Sequence, residues 1–197
     1  MTFVHWLVIL SALISILGSL AYIIDTIKGK SKPNRVSWLM WAVAPLIGTG
    51  AAIAAGADIW ATTRIFLSGF GPLVVVIVSF FNPQSYWKLN KFDFTCGVFS
   101  VLALIIWGIA DSPVVAILFA AIGDGFACLP TIFKAWKFPE TESGLSFLAS
   151  LLATVLILPS IQVWNIENSA FQIYLLIANA VIVFSIYRTK IFRIQKI

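Results

Sequence analysis

Asp124 stands between Gly123 and Gly125 in "FAAIGDGFACLP", the one charge in an apolar interval that runs from Asp111 to Lys134. An ionised carboxylate at the centre of a bilayer costs several kcal/mol, so such a residue faces a wet cavity, finds a partner or binds a proton. Two chemistries follow: a group that binds solute or proton, and a neutral acid hydrogen-bonded to a neighbouring helix. The flanking glycines suit both, because they admit a ligand and also let helices approach closely. Asn179, in "LLIANAVIV", sits at comparable depth in another apolar interval, where an amide can cross-link two helices at about 0.6 kcal/mol.

Trp38 and Trp41 are three apart and share a helix face. They can form an interfacial belt or a platform on which sugars and planar cations stack. Asp58, Trp60 and Arg64 fall close together, and an Asp58–Arg64 pair would form either an outer gate or a solvated loop. His5, the single histidine, is a pH sensor or an interfacial anchor. Asp25 and Lys28 have the spacing of an i,i+3 ion pair. Catalytic constellations are missing. The chain has no histidine cluster, no G-x-S-x-G, no phosphate-cradling loop and no carboxylate pair within one apolar interval. Its last apolar interval lacks the lysine that a retinal Schiff base needs. Cys96 and Cys128 fall in separate intervals and form neither a disulfide framework nor a metal set, so no cofactor is expected.

The elements that position these residues follow from composition. Of 197 residues, 60% are hydrophobic and 11% charged, against about 25% charged in an ordinary soluble domain. The mean hydropathy is +1.00. A helix crosses the hydrocarbon in about 20 apolar residues, and seven intervals between charges qualify: Phe3 to Ile24, Val36 to Ala57, Arg64 to Lys88, Asp93 to Asp111, Asp111 to Lys134, Glu142 to Glu167 and Glu167 to Arg188. Pro72, Pro130 and Pro159 are tolerated in membrane helices. A barrel is excluded because the strands' alternation is missing.

Lysine and arginine accumulate in cytoplasmic loops. Lys28, Lys30, Lys32 and Arg35, then Lys88 and Lys91, then Lys134 and Lys137, then Arg188, Lys190, Arg193 and Lys196 account for twelve of the thirteen cations, all in alternate loops or the C-terminal tail. Arg64 alone falls on the other side. The parity requires an odd number of spans, with the N-terminus outside and the C-terminus cytoplasmic. Because the cations are divided among short loops, the net charge of +5 sets orientation in a lipid bilayer and implies no nucleic acid. Ser19-Leu20-Ala21 would serve as a signal cleavage site, but "MTFVH" has no cation and the run is long, so a first helix is expected.

An internal duplication is legible. "GSLAYIIDTI" (18–27) aligns with "GDGFACLPTI" (123–132), and "SWLMW" at 37 with "SFLAS" at 146. Each half reads as a long helix, a basic loop with a proline, a helix beginning Ser-aromatic-Leu and a third helix, so the two units have like orientation once a single helix separates them. "LPTIFKAWKFPETESGLSFLA" (129–149) and "YIIDTIKGKSKPNRVSWLMWA" (22–42) resemble the PQ-loop motif of the SWEET and SemiSWEET transporters and of relatives such as the lysosomal cystine exporter. Thr131 stands where the motif has glutamine, and Asp25-Thr26 replaces the first Pro-Gln pair.

That resemblance implies an all-α integral membrane protein of seven transmembrane helices arranged 3+1+3: a first bundle over 1–90, a linker helix over 91–111 and a second bundle with a basic tail over 112–197. It implies a carrier of a small polar solute, a sugar or similar metabolite, working by alternating access in a bacterial cytoplasmic membrane as a monomer or homodimer. Asp124, Asn179, Thr131, Trp41 and Trp38 are then the expected substrate-binding residues, Pro130 and Pro72 the hinges, and Asp58 with Arg64 the outer gate. Proton coupling through Asp124 and facilitated diffusion both remain open. The rival expectation is a membrane receptor of the same fold that binds without transporting; a structural membrane subunit is the third.

Overall fold

The computed structural model describes residues 3–56 and 59–194. Among them there is no strand; seven helices follow one another: α1 (Phe3–Ile27), α2 (Arg35–Ala54), α3 (Ile59–Val78), α4 (Lys91–Ile109), α5 (Pro113–Lys137), α6 (Gly144–Ile157) and α7 (Ile166–Ile194). Five have the length and apolarity to cross a membrane: His5–Ile27, Arg35–Ala54, Lys91–Ile109, Pro113–Lys137 and Asn168–Ile191. The other two differ from the expectation of seven comparable spans. The apolar part of α3 that is described covers only Ile65–Val78, and α6 has 14 residues before it tightens at Pro159 into a 3-10 turn, Leu158–Ser160. The last helix carries past Arg188 to Ile194, so most of the expected basic tail is helical.

Local chemistry sets the boundaries. Asn34 follows Pro33 and accepts the Val36 and Ser37 N–H groups at 3.1 and 3.4 Å, which starts α2. Asn90 and Asp93 form a reciprocal capping box that starts α4. Between α1 and α2 the chain reverses through Gly29 at φ 71°, a left-handed conformation that glycine adopts without a Cβ clash.

Packing inverts the order of a water-soluble core. Leu13, Leu17, Leu20, Ile24 and Ile27 recur at helical spacing on one exposed stripe of α1, whereas Ser37, Ser79, Ser85, Ser100, Thr131 and Ser185 are buried. In lipid, large apolar side chains gain nothing by leaving the surface, and small residues allow the close helix contact that holds the bundle together. Accordingly α1 packs on α3 and α6, α2 on α3, α4 and α5, α5 on α4 and α7, and α6 on α7.

Trp38 corrects one expectation. It is only 6% exposed and packs against Tyr22 at 4.2 Å between ring centroids, so it is a core residue and not part of an interfacial belt. Asp25 corrects another: its carboxylate accepts the Ser143 hydroxyl at 2.6 Å, next to the first turn of α6, and among the described residues the ion pair that forms is Lys134–Glu142, not Asp25–Lys28.

The α1–α6 crossing is tight at Gly18, where an added Cβ would lie 2.9 Å from Ala149 Cβ and 3.2 Å from the Ser146 carbonyl oxygen. At Gly50 such a Cβ meets nothing within 4 Å. Gly18→Leu should therefore destabilise the protein by about 1–3 kcal/mol, the usual cost of overpacking, while Gly50→Leu stays within about 0.5 kcal/mol of the parent. Unfolding in detergent micelles, followed by tryptophan fluorescence, checks both.

Candidate functional site

One stripe of α5 carries the chemistry. Asp124, Cys128, Thr131 and Lys134 follow at spacings of four, three and three, so they lie on one face from mid-helix to its last turn. Ten residues at 1.5 Å each separate Asp124 from Lys134 by roughly 15 Å.

At the upper end, half-buried Asp124 accepts the Tyr174 hydroxyl of α7 at 2.6 Å through Oδ2. The Trp41 indole of α2 lies beside the same carboxylate. Three helices thus converge on one acid. The glycines around it divide the work: a Cβ at Gly123 would press on Ala103 and the Ser100 carbonyl of α4 at 3.2 and 3.3 Å, so that face is a close helix contact. Gly125 leaves room for the Tyr174 ring, which would lie 3.7 Å from its Cβ.

Below this acid lies an aromatic layer. Tyr22, Trp38, Trp41 and Phe147 pack with centroids 4.2 to 6.5 Å apart. Beyond the layer is a buried ion pair. Lys134 Nζ lies 2.7 Å from Glu142 Oε1, with the two side chains 1% and 0% exposed. Glu142 Oε2 accepts the Tyr22 hydroxyl at 2.6 Å, and Lys134 also donates to the Lys32 carbonyl. The Lys32 N–H returns a bond to the Thr141 carbonyl at 2.8 Å. A charge buried away from water persists only with a partner and its remaining hydrogen bonds satisfied.

The other expected site residues are distributed as follows. Thr131 is fully buried on the same stripe, and its Oγ1 has no hydrogen-bond partner among the described residues. Asn179 is half-buried on α7 but turns its amide onto its own helix, donating to the Leu175 carbonyl at 2.9 Å, and is not brought to Asp124. Pro130 is buried inside α5, where its missing N–H removes one helix bond four residues before Lys134. Pro72 is half-buried inside α3. Asp58 and the Arg64 side chain, the expected outer gate, lie outside the described residues. His5 is exposed near the start of α1.

Sequence reasoning missed Tyr22, Lys134, Glu142 and Tyr174. Lys134 was legible as an orienting loop cation; its place three residues after Thr131 on the Asp124 stripe was the signal that it points inward. Two surface cavities lie away from Asp124. One, about 420 Å³, is lined by Trp87, Lys137 and neighbours at the Lys134 end. The other, about 400 Å³, is lined by Ser160, Gln162, Asn168 and Gln172 where α6 hands over to α7.

Comparisons of this chain with protein-family models, with curated proteins and with solved structures return no match.

Removing one partner of the buried pair isolates its contribution. Lys134→Ala leaves Glu142 buried without a counter-charge and should cost about 3–5 kcal/mol, whereas the paired change Lys134→Met with Glu142→Leu should recover most of that loss. Thermal unfolding in micelles measures both, and equal losses in the single and paired variants would refute a desolvated pair.

Proposed function

We propose that this protein is a carrier of a small polar solute, with Asp124, Tyr174 and Trp41 as the solute-facing group and the Tyr22–Glu142–Lys134 network as the closure on the cytoplasmic side. The observation that carries the reading is the half-buried carboxylate at mid-span, reached by side chains from two other helices and separated from one end of the bundle by an aromatic layer and an ion pair. Intramembrane acids of this kind mark solute and ion pathways.

The same reading treats the chain as seven spans in two like-oriented bundles, 1–90 and 112–197, joined by the helix of 91–111, with the N-terminus outside and the C-terminus in the cytoplasm of a bacterial cell. Two features support it. Within each half the third helix touches both the first and the second, and between halves α1 meets α6 as α2 meets α5, the exchange a pseudo-twofold axis would produce. Lys28, Lys30, Lys88 and Lys137 are exposed at the end that holds the ion pair, as cytoplasmic cations should be. The resemblance to PQ-loop carriers rests on this arrangement and on residues 22–42 and 129–149.

Alternating access requires the Lys134–Glu142 pair to part while the outer end closes. Thr131, whose buried hydroxyl has no partner among the described residues, then lies on the path between Asp124 and the cytoplasm, and Pro130 is the point at which α5 bends. A receptor that binds without transport is the second reading; the amide-lined cavity around Gln162, Asn168 and Gln172 favours it by offering a polar recess at the opposite end.

Solute counterflow in proteoliposomes, screened over sugars, polyols and amino acids, tests the carrier. Saturable exchange should appear for one class and fall at least tenfold in Asp124→Asn and Tyr174→Phe. Saturable binding with no exchange would replace the carrier with the receptor. With a pH gradient imposed, a rate that responds in the parent and not in Asp124→Asn assigns proton coupling to that carboxylate; a rate indifferent to the gradient means facilitated diffusion.

The closure has its own reporter. Cys128 is buried on the α5 stripe behind the ion pair, and in a Cys96→Ser background it should react with a membrane-impermeant maleimide from the cytoplasmic side at least tenfold faster in Lys134→Met/Glu142→Leu than with the pair intact. Equal rates would show that the pair closes nothing.

A further inference from the structure

The cavity beside the ion pair has a composition the transport reading does not use. It lies between the loop ahead of α4, the first turn of α4 and the last turn of α5, and its volume is about 420 Å³. Two edge-to-face aromatic pairs wall it: Phe92 with Phe133 at 5.1 Å and Trp87 with Phe138 at 5.5 Å between centroids. Phe92 and Phe133 are 41% and 50% exposed, so this wall opens outward from the helices.

The polar side of the cavity is cationic. Lys137 lines it, and Lys88 and Lys91 are exposed on the adjoining loop and helix start. Two of the three local acids are already engaged. Asp93 is buried with Oδ2 accepting the Asn90 N–H at 2.8 Å, and Glu142 is paired with Lys134. Glu140 is exposed two residues past Phe138. Asn90 uses Oδ1 to accept the Phe92 and Asp93 N–H groups, which leaves its amide Nδ2 as a donor on the rim. Three lysines with no ion pair among the described residues, one amide donor and an outward-opening apolar wall form a complement to one amphiphile.

We infer that this groove between α4 and α5 binds the head group of an anionic phospholipid, its phosphate held by Lys137, Lys91 and Asn90 and its acyl chains lying along Phe92 and Phe133. Basic pockets between transmembrane helices on the cytoplasmic side hold acidic lipid head groups by this combination of charge and apolar contact. Because Lys134 and Pro130 form part of the groove wall, the lipid also braces the last turn of α5. The site stands whether or not the protein transports.

The test uses the purified full-length chain in neutral detergent, titrated with dioleoylphosphatidylglycerol or with dioleoylphosphatidylcholine, reading thermal stability and, by native mass spectrometry, the number of lipids retained. Phosphatidylglycerol should raise the melting temperature and leave one retained lipid, while phosphatidylcholine and inorganic phosphate at equal concentration should do neither. Lys91→Gln/Lys137→Gln should weaken phosphatidylglycerol binding roughly 30-fold, at about a factor of five per lysine. Lys28→Gln/Lys30→Gln, which removes the same charge elsewhere on that end, should leave binding within about twofold. Equal response to both lipids, stabilisation by inorganic phosphate alone, or equal loss in the two double variants would each overturn the site. If neither double variant loses affinity, the groove is likewise refuted.

Discussion

Two opposite charges with almost no solvent contact hold one end of this bundle, and the rest of the arrangement follows from what they demand. Lys134 and Glu142 remain ionised in such a place only if each also satisfies its further hydrogen-bonding capacity. Glu142 takes its second bond from Tyr22 on α1, and Lys134 gives one to the carbonyl of Lys32 in the α1–α2 loop. Neither residue could keep these bonds if α1 slid or tilted relative to α5. The pair therefore fixes the two halves against each other, and the tight α1–α6 crossing at Gly18 and the stacking of Trp38 and Phe147 on Tyr22 become possible at that register.

The lipid-facing exterior makes such polar ties more consequential than in water. Large apolar side chains cover the outside and small hydroxyl-bearing ones fill much of the inside, so burial of apolar area contributes little to the choice among helix arrangements. Specificity passes to hydrogen bonds that span distant segments: Arg35 to Ser79 at 2.7 Å, Ser85 to the Thr26 carbonyl at 2.5 Å, Ser143 to Asp25 at 2.6 Å and Tyr174 to Asp124 at 2.6 Å. Each joins residues far apart in sequence, which is why helix packing here is a matter of polar registration more than of shape alone.

Much of this was legible from residues alone and some was not, for identifiable reasons. Apolar intervals between charges overlap all seven helices, because water and lipid sort long stretches by mean polarity, although α3 begins at Ile59, ahead of the Arg64 that bounds its interval. They overstate α6, since interval length ignores Pro159, which tightens the helix into a 3-10 turn. Asp124 stood out because its isolation is a local property. Tyr174 did not, since one tyrosine at a depth matching an acid 50 positions away leaves no local mark. Lys134 was read by charge sign, a one-dimensional property; its burial depends on Glu142 folding back across the turn at Pro139. Trp38 was misplaced for a related reason: position near a basic loop is typical of interfacial indoles, but the ring stacks inward once Tyr22 is there to receive it.

The two segments aligned in the sequence, 18–27 and 123–132, are also tied unequally. On the first half, the end of α1 is tied at several points: Thr26 bonds back to the Tyr22 carbonyl at 2.8 Å and to Ser31 at 2.8 Å, and Asn82 holds the Ile27 carbonyl at 2.7 Å. On the second, Thr131 makes no such bond among the described residues, Pro130 lacks one rung of the helix ladder, and the last turn of α5 is held by the ion pair, by Lys134 to the Lys32 carbonyl and by Arg188 to the Trp136 carbonyl. Two of these ties converge on Lys134, whereas those of the first half are spread over Thr26, Ser31 and Asn82. Under the carrier reading proposed above, the rocking would be lopsided, with α5 bending at Pro130 against a more firmly tied α1 that contains no proline.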